Sequence, residues 1–307
     1  MRIVATAAVP AVGREAFAAL GEIEVDGTGD LVGAEILIVR GTPLGADSIE
    51  SASSLQVIAR TGAGYDNVDV AAATRAGIPI VYAPAVGSGP VAEGTIALIL
   101  AAAKRLRELG EIVWTDWDAR YDVMGLDLEG ACAGIVGLGA IGRRVASLCR
   151  ALGMVVVAHD PAASSSAFEL VSLPELLARA DIISLHCALT DRTRGLVDRA
   201  LLAHCKPGAV LVNAARGALV ESEDVLAEAL AAGRLSAVAL DVHPSEPPRV
   251  NHRLYADPRV VCTPHTVGLT RRWNEEVFSA LATGVTAVLA GRRPSNLLNP
   301  EALQAPR

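Results

Sequence analysis

The sequence predicts an α/β protein with two doubly wound, parallel-sheet domains, the second inserted in the first. Short runs of β-branched residues alternate with Ala/Leu-rich stretches of helical length, a pattern typical of parallel strands joined by helices. The strand-like runs form two series, one in the first third of the chain and one after Gly130. Two series indicate two sheets, and 307 residues are enough for about two domains.

The first series predicts the strands and helices of the first domain. Its strands are expected at Arg2–Thr6, Ile36–Val39, Gln56–Arg60 and Ile80–Tyr82, and its helices near Val9–Leu20 and Val68–Ala76. The second series predicts strands at Ala133–Val136, Val155–His159, Ile182–Leu185, Ala209–Asn213, Ala237–Asp241 and Val260–Cys262.

Two longer helical stretches connect the domains. Val91–Leu109 leads from the first domain into the second, and Arg272–Ala290 precedes a Pro/Asn-rich tail that returns to the first. We therefore expect one domain from residues 1–101 and 284–307, and a second from residues 102–283.

A glycine-rich turn follows the first strand of the second series. Gly137, Gly139 and Gly142 form the pattern G-x-G-x-x-G at the start of an amphipathic helix. The first glycine permits a tight turn, the second lets backbone amides approach a pyrophosphate, and the third lets the helix pack on the strand. With Ala140 and Ile141 between them, they predict a dinucleotide site whose pyrophosphate lies at the helix N-terminus.

An acid at the end of the next strand indicates which dinucleotide binds. Asp160 follows Gly142 by eighteen residues. A carboxylate there accepts hydrogen bonds from the adenosine ribose hydroxyls and repels a 2′-phosphate. The sequence therefore favours NAD over NADP as the cofactor.

Composition and charge exclude several classes of partner. The formal charge is −7 and no Lys/Arg-rich run occurs, which argues against nucleic acid and anionic membrane as partners. Apolar stretches such as Gly94–Ala103 are too short to span a bilayer, and the N-terminus enters a strand instead of a signal sequence. We expect a soluble, cytoplasmic protein.

The five cysteines indicate a reducing compartment. Cys132, Cys149, Cys187, Cys205 and Cys262 are odd in number, lack metal-ligand spacing and mostly lie in apolar segments. We expect reduced, buried side chains and no metal site.

Three polar residues follow strands of the second series. Arg216 comes after the strand in VNAARGALV, Glu246 after the strand in ALDVHPSEPP, and His265 after the strand in VCTPHTVG. Parallel strands deliver such residues to one edge of the sheet, beside the cofactor. The set suits interconversion of a hydroxyl and a carbonyl group. The His takes or gives the proton, the carboxylate orients the His, and the Arg binds the oxygen substituents.

In this order the motifs resemble the D-isomer-specific 2-hydroxyacid dehydrogenase family, and its phosphoglycerate-dehydrogenase-like members in particular. The resemblance covers nearly the whole chain. It is carried by Arg60–Ile80, Val91–Leu100, the glycine pattern, Leu185–Val197, Lys206–Val220, Asp241–Pro247 and Thr263–His265. One departure is His243, which stands where Phe is more usual after Asp-Val.

The resemblance implies a role for each domain. The first domain would be a flavodoxin-like substrate domain, and the second a Rossmann NAD-binding domain through which a homodimer forms. The active site would lie in the cleft between them.

The resemblance also implies roles for individual residues. Arg216, Glu246 and His265 would be the catalytic trio, and Asp241 would sit near the nicotinamide carboxamide. Further cofactor contacts would come from His186, Thr193 and Ala214, together with His265. Backbone amides around Gly62, Ala63 and Gly64 would hold the substrate carboxylate, and Arg216 would bind the substrate as well.

The substrate is expected to be a small anionic D-2-hydroxy acid or its 2-keto form, such as 3-phosphoglycerate or hydroxypyruvate/glyoxylate. Arg60 precedes the glycine loop, where it either binds a substrate phosphate or pairs with a neighbouring acid such as Asp66 or Asp69. Arg75 is a second candidate. No appended regulatory domain is expected.

Two other functions remain open at this stage. One is oxidation of another small anion, as in phosphite or formate dehydrogenases, although the pairing of Glu with His differs from the His–Gln pairing of the formate type. The other is an NAD-sensing binding protein that resembles corepressors built on the same scaffold.

Overall fold

The computed structural model describes residues 1–26, 31–84, 86–163, 167–249 and 251–304. The last residues of the predicted segment 284–307, from 305 onward, lie outside the described residues. The strands are β1 (Ile3–Ala5), β2 (Ile23–Val25), β3 (Ile36–Val39), β4 (Val57–Arg60), β5 (Ile80–Val81), β6 (Cys132–Val136), β7 (Val155–His159), β8 (Glu169–Leu170), β9 (Ile182–Leu185), β10 (Ala209–Asn213), β11 (Leu235–Leu240) and β12 (Val260–Cys262). The α-helices are α1 (Ala11–Phe17), α2 (Ala46–Ser51), α3 (Val70–Arg75), α4 (Ser88–Ala103), α5 (Leu106–Thr115), α6 (Ala140–Ala151), α7 (Leu173–Arg179), α8 (Arg199–Leu202), α9 (Glu223–Ala231), α10 (Arg253–Ala256) and α11 (Arg271–Leu289). Short 3₁₀ helices cover Trp117–Tyr121, Gly217–Leu219 and Pro300–Leu303.

The chain divides into two compact units, each built around one sheet. Unit 1 comprises Met1–Gly87 and Leu269–Arg307, and unit 2 comprises Ser88–Gly268. The sheet of unit 1 has the strand order β2-β1-β3-β4-β5, and that of unit 2 has the order β12-β11-β10-β9-β6-β7-β8. The strands within each sheet pair in parallel. The first order is that of flavodoxin-like folds and the second that of the Rossmann fold, so the predicted fold class is confirmed.

Helices cover both faces of each sheet, and this explains why the strands read as continuous apolar runs. In unit 1, Ile36 and Ile38 face a core shared with α1 and α11, whereas Leu37 and Val39 face one shared with α2 and α3. The sheet of unit 2 is covered in the same way, by α4 and α6 on one face and by α7 and α9 on the other.

The units divide at the ends of two helices, whereas the predicted boundaries at 101/102 and 283/284 fall within them. α4 belongs to unit 2 because Leu98 and Ile99 pack into the core beneath α6. α11 belongs to unit 1 because Phe278 and Leu281 pack onto the sheet there.

The single helix predicted over Val91–Leu109 is two helices. Arg105 separates α4 from α5 with a left-handed backbone, φ = 55°. The guanidinium of Arg107 then donates to the carbonyls of Asp257 and Val260, which fixes the start of α5 near β12.

The cysteines are all free, but the expectation that they are buried holds only in part. Cys149 and Cys205 are buried, whereas Cys262 is exposed because it ends β12, an edge strand. Among the described residues, none of the helices combines the length and the apolar character that a membrane crossing requires.

Candidate functional site

The glycine turn lies where the strand order of unit 2 reverses. β6 is flanked by β7 on one side and by β9 on the other. The connections that follow β6 and β9 therefore lead in opposite directions, to β7 and to β10, which leaves a crevice at the carboxyl edge of the sheet. This point is where doubly wound sheets bind nucleotides. Backbone bonds close the turn, since the Gly137 amide donates to the His159 carbonyl and the His186 amide to the Val136 carbonyl.

The three glycines fit a pyrophosphate at this turn. A Cβ on Gly137, which has φ = 97°, would lie 2.6 Å from the Cys187 nitrogen, and a Cβ on Gly142 would lie 2.0 Å from the Gly137 carbonyl oxygen. Side chains are thus excluded at the first and third positions by the backbone itself. Gly139 faces open space, with no atom within 4 Å of such a Cβ, and it is the N-cap of α6 without a side-chain cap. The amides that begin α6, from Ala140 on, therefore remain available to an anion.

Asp160 is tied to the same turn. Its Oδ2 accepts from the Leu138 amide at 2.7 Å and its Oδ1 from the Ala162 amide at 2.9 Å. The Leu138 bond holds the pKa of Asp160 below its ordinary value, with help from the Ala162 amide and against the effect of burial. The carboxylate is ionised and fixed beside the turn, and each oxygen keeps a lone pair for a ribose hydroxyl.

The other predicted cofactor residues line the same edge of unit 2. Burial lowers the pKa of His186 to about 4, so its ring is neutral, and Nε2 lies 2.8 Å from the Ser184 hydroxyl. The Thr193 hydroxyl donates to the Ala188 carbonyl at 2.7 Å and stabilises the loop after β9. Ala214 directly follows β10, and Ile141 lies in the first turn of α6.

Arg216, Glu246 and His265 follow three adjacent strands that end at one level. Asn213 pairs with Leu240 across β10 and β11, and Leu240 pairs with Cys262 across β11 and β12. The residues that follow these strands therefore share one edge of the sheet.

Asn213 holds the Arg216 turn, a role that the sequence analysis missed. Its fully buried side chain donates to the Arg216 carbonyl at 2.9 Å and accepts from the Ala215 amide at 3.0 Å. A polar last residue in an otherwise apolar strand is the signal that identifies such a role.

Asp241 connects the loops after β11 and β12. It is buried, and its Oδ1 accepts from the Thr263 hydroxyl at 2.6 Å and from the amides of Thr266 and Val267 at 2.7 and 3.2 Å. Its own carbonyl accepts from the His265 amide at 2.7 Å. All three carboxylate bonds fall on Oδ1, so among the described contacts Oδ2 keeps its acceptor capacity for a ligand.

Glu246 and His265 are in direct contact. His265 Nδ1 donates to Glu246 Oε2 at 3.0 Å, and both side chains are partly exposed. Burial raises the pKa of Glu246, but the hydrogen bond and attraction from His265 and the bond from the His243 amide outweigh it, so the net pKa lies below its ordinary value. The pair is therefore an ionised carboxylate that orients an imidazole through Nδ1, and no described hydrogen bond involves Nε2.

The backbone of His265 is strained. Its φ of 58° lies in the left-handed region, which non-glycine residues rarely occupy. Such a conformation costs about 1–3 kcal/mol and persists at positions that surrounding contacts hold in place. The bond from the His265 amide to Asp241 is one of those contacts.

In unit 1, Arg60 lies beside the loop of Gly62, Ala63 and Gly64. Arg60 Nε donates to Asn67 Oδ1 at 2.9 Å, and a second guanidinium nitrogen donates to the Thr61 carbonyl. A Cβ on Gly62 would lie 3.7 Å from the Arg60 guanidinium. Within the described part of the chain, the amides of the three loop residues donate no backbone hydrogen bond.

Asp69 and Arg75, two of the residues considered with Arg60, have other partners. Asp69 accepts from the Ala72 amide and caps α3. Arg75 pairs with Glu50 at 3.3 Å on the exposed surface.

The chain is similar to known proteins over most of its length. Residues 96–267 match the family model described as the NAD binding domain of D-isomer specific 2-hydroxyacid dehydrogenases. A D-3-phosphoglycerate dehydrogenase of Methanocaldococcus jannaschii is 40% identical over 87% of this chain and 52% of its own length. A glyoxylate reductase of Aeropyrum pernix is 37% identical over 84% of this chain and 80% of its own length. The crystal structure of the TT0316 protein from Thermus thermophilus superposes with a TM-score of 0.89 at 36% identity, covering 97% of this chain and 100% of that one.

The Rossmann sheet, the glycine turn and the matched family model define an NAD-binding protein, and the cofactor prediction is confirmed. The chain belongs to the D-isomer specific 2-hydroxyacid dehydrogenase family. It spans about half the length of the first phosphoglycerate dehydrogenases that it matches.

Asp160→Ala is expected to reduce the preference for NADH over NADPH. The carboxylate accepts ribose hydroxyls and repels a 2′-phosphate, so its loss weakens NADH binding and relieves repulsion of NADPH. Dissociation constants of both nucleotides, measured by quenching of protein fluorescence, give the ratio directly. Asp191→Ala, at an exposed position, is the control. Equal affinity of the parent protein for both nucleotides would contradict the assignment.

Proposed function

We propose that the protein is an NAD-dependent oxidoreductase that interconverts a small D-2-hydroxy acid and its 2-keto acid. The observation that carries this proposal is the 3.0 Å hydrogen bond between His265 and Glu246, at the carboxyl edge of the sheet that also bears the glycine turn. An imidazole oriented by an ionised carboxylate is suited to taking and returning the proton of a substrate hydroxyl.

The hydrogen bond to Glu246 identifies Nε2 as the atom of His265 that exchanges a proton with the substrate. Because Nδ1 donates to Glu246, the neutral ring carries its lone pair on Nε2. In oxidation of the hydroxy acid, Nε2 takes the hydroxyl proton, and the adjacent carboxylate stabilises the imidazolium that forms. In the reverse direction the imidazolium returns that proton to the carbonyl oxygen.

Arg216 is assigned to the substrate oxygens. Its guanidinium provides a planar set of donors that suits a carboxylate and a developing alkoxide. Bound NAD⁺ supplies the acceptor for the hydride that leaves C2 of the substrate.

The direct test is turnover of NADH with a panel of 2-keto acids. Hydroxypyruvate, glyoxylate, pyruvate and 3-phosphohydroxypyruvate should include at least one that is reduced to the D-hydroxy acid. Tight NADH binding without reduction of any of them would overturn the proposal and favour a nucleotide-sensing role. Oxidation of phosphite or formate alone would favour the other small-anion chemistry.

We assign carboxylate binding to the loop of Gly62, Ala63 and Gly64. Consecutive backbone amides that donate to no described backbone carbonyl form a concave donor set suited to anions. Gly62 has φ = 104°, a conformation that glycine adopts without strain. Arg60 beside this loop is suited to a second anionic group on the substrate, such as a phosphate.

Arg60→Ala is expected to raise KM for 3-phosphohydroxypyruvate about tenfold more than KM for hydroxypyruvate. A charge-assisted hydrogen bond contributes about 1.5–3 kcal/mol, and only the phosphorylated substrate loses it. Steady-state kinetics with the two substrates measure the difference, with Arg75→Ala as the control. Equal losses would assign Arg60 to support of the loop or to the shared carboxylate.

We further propose a homodimer formed through unit 2. None of the ten residues of α5 is buried, although five of them are large apolar or aromatic residues. Trp114 is 87% exposed and Met124 75% exposed, with Trp117 and Tyr121 exposed between them. An apolar surface of this kind is typical of an interface, and a second copy related by a two-fold axis would cover it with the same residues.

The double substitution Trp114→Gln and Met124→Gln is expected to weaken the dimer by tenfold or more. Each side chain loses apolar burial worth about 1.5–3 kcal/mol if it is covered by the partner, and neither supports the fold of its own chain. Sedimentation velocity over a concentration series measures dissociation, with Val32→Ser in unit 1 as the exposed apolar control. An unchanged dimer would assign the interface to another surface.

Free thiols at all five cysteines support a cytoplasmic location.

A further inference from the structure

His243 lies where the three loops that bear Arg216, Glu246 and His265 come together. Its side chain is an imidazole that is only 5% exposed. A buried imidazole must satisfy two ring nitrogens, whereas Phe has none. The partners of those nitrogens therefore indicate what the residue does.

The backbone of His243 supports the Arg216 turn. A Cβ on Gly217 would lie 1.7 Å from the His243 carbonyl oxygen and 2.8 Å from the Pro244 nitrogen. No side chain fits at Gly217, so the residue after Arg216 lies directly against the backbone of His243. The backbone of His243, in the loop after β11, thus sets the position of the loop that bears Arg216.

The same backbone holds Glu246. The His243 amide donates to Glu246 Oε1 at 3.2 Å, while Glu246 Oε2 accepts from His265 at 3.0 Å. One carboxylate is therefore held at both oxygens, by His243 on one side and by His265 on the other. Rotation of the carboxylate breaks one of the two bonds.

The ring of His243 reaches the loop of His265. Nε2 lies 3.0 Å from the Thr263 carbonyl oxygen, and because a carbonyl only accepts, Nε2 carries the proton. Nδ1, the other ring nitrogen, lies 3.3 Å from the Tyr255 hydroxyl. The Thr263 carbonyl therefore fixes the proton on Nε2, and the Tyr255 hydroxyl is the partner of the other ring nitrogen. The Thr263 hydroxyl is itself held by Asp241.

We propose that His243 is a positioning residue for the Glu246–His265 pair. Its ring, bound at Nε2 by the Thr263 carbonyl and at Nδ1 by the Tyr255 hydroxyl, joins the loop after β11 to the end of β12 and so keeps the carboxylate and the imidazole in register. This role rests on the proposed function for its effect on turnover, but the hydrogen bonds themselves do not depend on any substrate.

The first test is a double-mutant cycle on kcat. His243→Phe should lower kcat about tenfold with the NADH dissociation constant unchanged, because one buried hydrogen bond contributes roughly this factor. Tyr255→Phe should lower kcat several-fold in the parent protein but add little in the His243→Phe background, since Tyr255 acts through the imidazole. His243→Gln, whose amide can donate to Thr263, should recover part of the loss. Additive effects of the two substitutions, or full kcat in His243→Phe, would overturn the proposal.

The second test needs no turnover. Imidazole ¹⁵N chemical shifts in the intact protein should identify His243 as protonated at Nε2 and His265 as protonated at Nδ1. Tyr255→Phe should change the Nδ1 shift of His243, which loses its hydrogen-bond partner, while Nε2 stays protonated, and His243→Phe should shift the His265 signals. An Nδ1-protonated His243 in the parent protein contradicts the proposal. Absence of turnover with the parent protein, alongside the expected shifts, would instead count against the proposed function alone.

Discussion

His265→Ala is expected to lower kcat by roughly two to four powers of ten, the usual size of a general acid–base contribution. The alanine variant has no group in place of Nε2 to exchange the proton with the substrate. NADH binding should be almost unchanged, because the glycine turn and Asp160 are untouched. Single-turnover absorbance of NADH with the accepted 2-keto acid measures the chemical step, and fluorescence titration measures binding.

His204→Ala is the matched control, since His204 is exposed near the end of α8. Full turnover by His265→Ala would assign the proton transfer to another group.

Glu246, the partner of His265, provides an independent test of this role. The pKa of Glu246 lies below its ordinary value, so the carboxylate is ionised near neutral pH. Glu246→Gln removes a charge that stabilises the imidazolium and should move the pH–rate profile for reduction to lower pH. An unchanged profile would remove Glu246 from this role.

Arg216→Ala is expected to lower kcat/KM by roughly two to three powers of ten, as the loss of a preorganised donor to a developing oxyanion does. If Arg216 acts on the ground-state carboxylate, KM rises; if it acts on the developing alkoxide, kcat falls. Arg216→Lys keeps the charge but loses the planar pair of donors, so it should recover only part of the activity.

The control for this charge is Arg234→Ala, because Arg234 is an exposed arginine at the opposite, amino-terminal end of β11. Retention of kcat/KM within about twofold in Arg216→Ala would contradict an electrostatic role. The thermal stability of each variant separates loss of the turn from loss of the guanidinium, since Asn213 binds the Arg216 backbone and not its side chain.

The sequence was sufficient to predict the buried strands. β3, β7, β9, β10 and β12 begin and end where expected, because a strand covered on both faces is a continuous apolar run with polar or glycine boundaries. The predictions missed β2 and β8. Both are short edge strands with exposed acidic residues, Glu24 and Glu169, so no apolar run marks them.

Helix boundaries were less predictable than strands. The residues between α4 and α5 have good helix propensity, and the break at Arg105 depends on contacts of Arg107 with chain 150 residues later. Such long-range contacts leave no local pattern. The same reason explains why the domain boundaries fell inside α4 and α11.

For the candidate site, the sequence identified the residues at the strand ends but not what holds them. The contact of His265 with Glu246 follows from two adjacent parallel strands, and it was anticipated. The bonds of Asn213 and Thr263 are between a side chain and a nearby loop, and their geometry appears only in three dimensions.

Unit 1 is made from two stretches of chain that are separated by the whole of unit 2. One face of its sheet, with Ile3, Ile36 and Val57, is covered by Phe278 and Leu281 of α11, which belong to the later stretch. A ribosome releases the chain from its N-terminus, so α1 alone covers this face until unit 2 has emerged completely. Unit 2 is continuous and can close its core first. The unit that contains residues 1–87 is therefore the last to be completed during synthesis, and the part of its Ile/Val face that α11 covers is exposed in the interval.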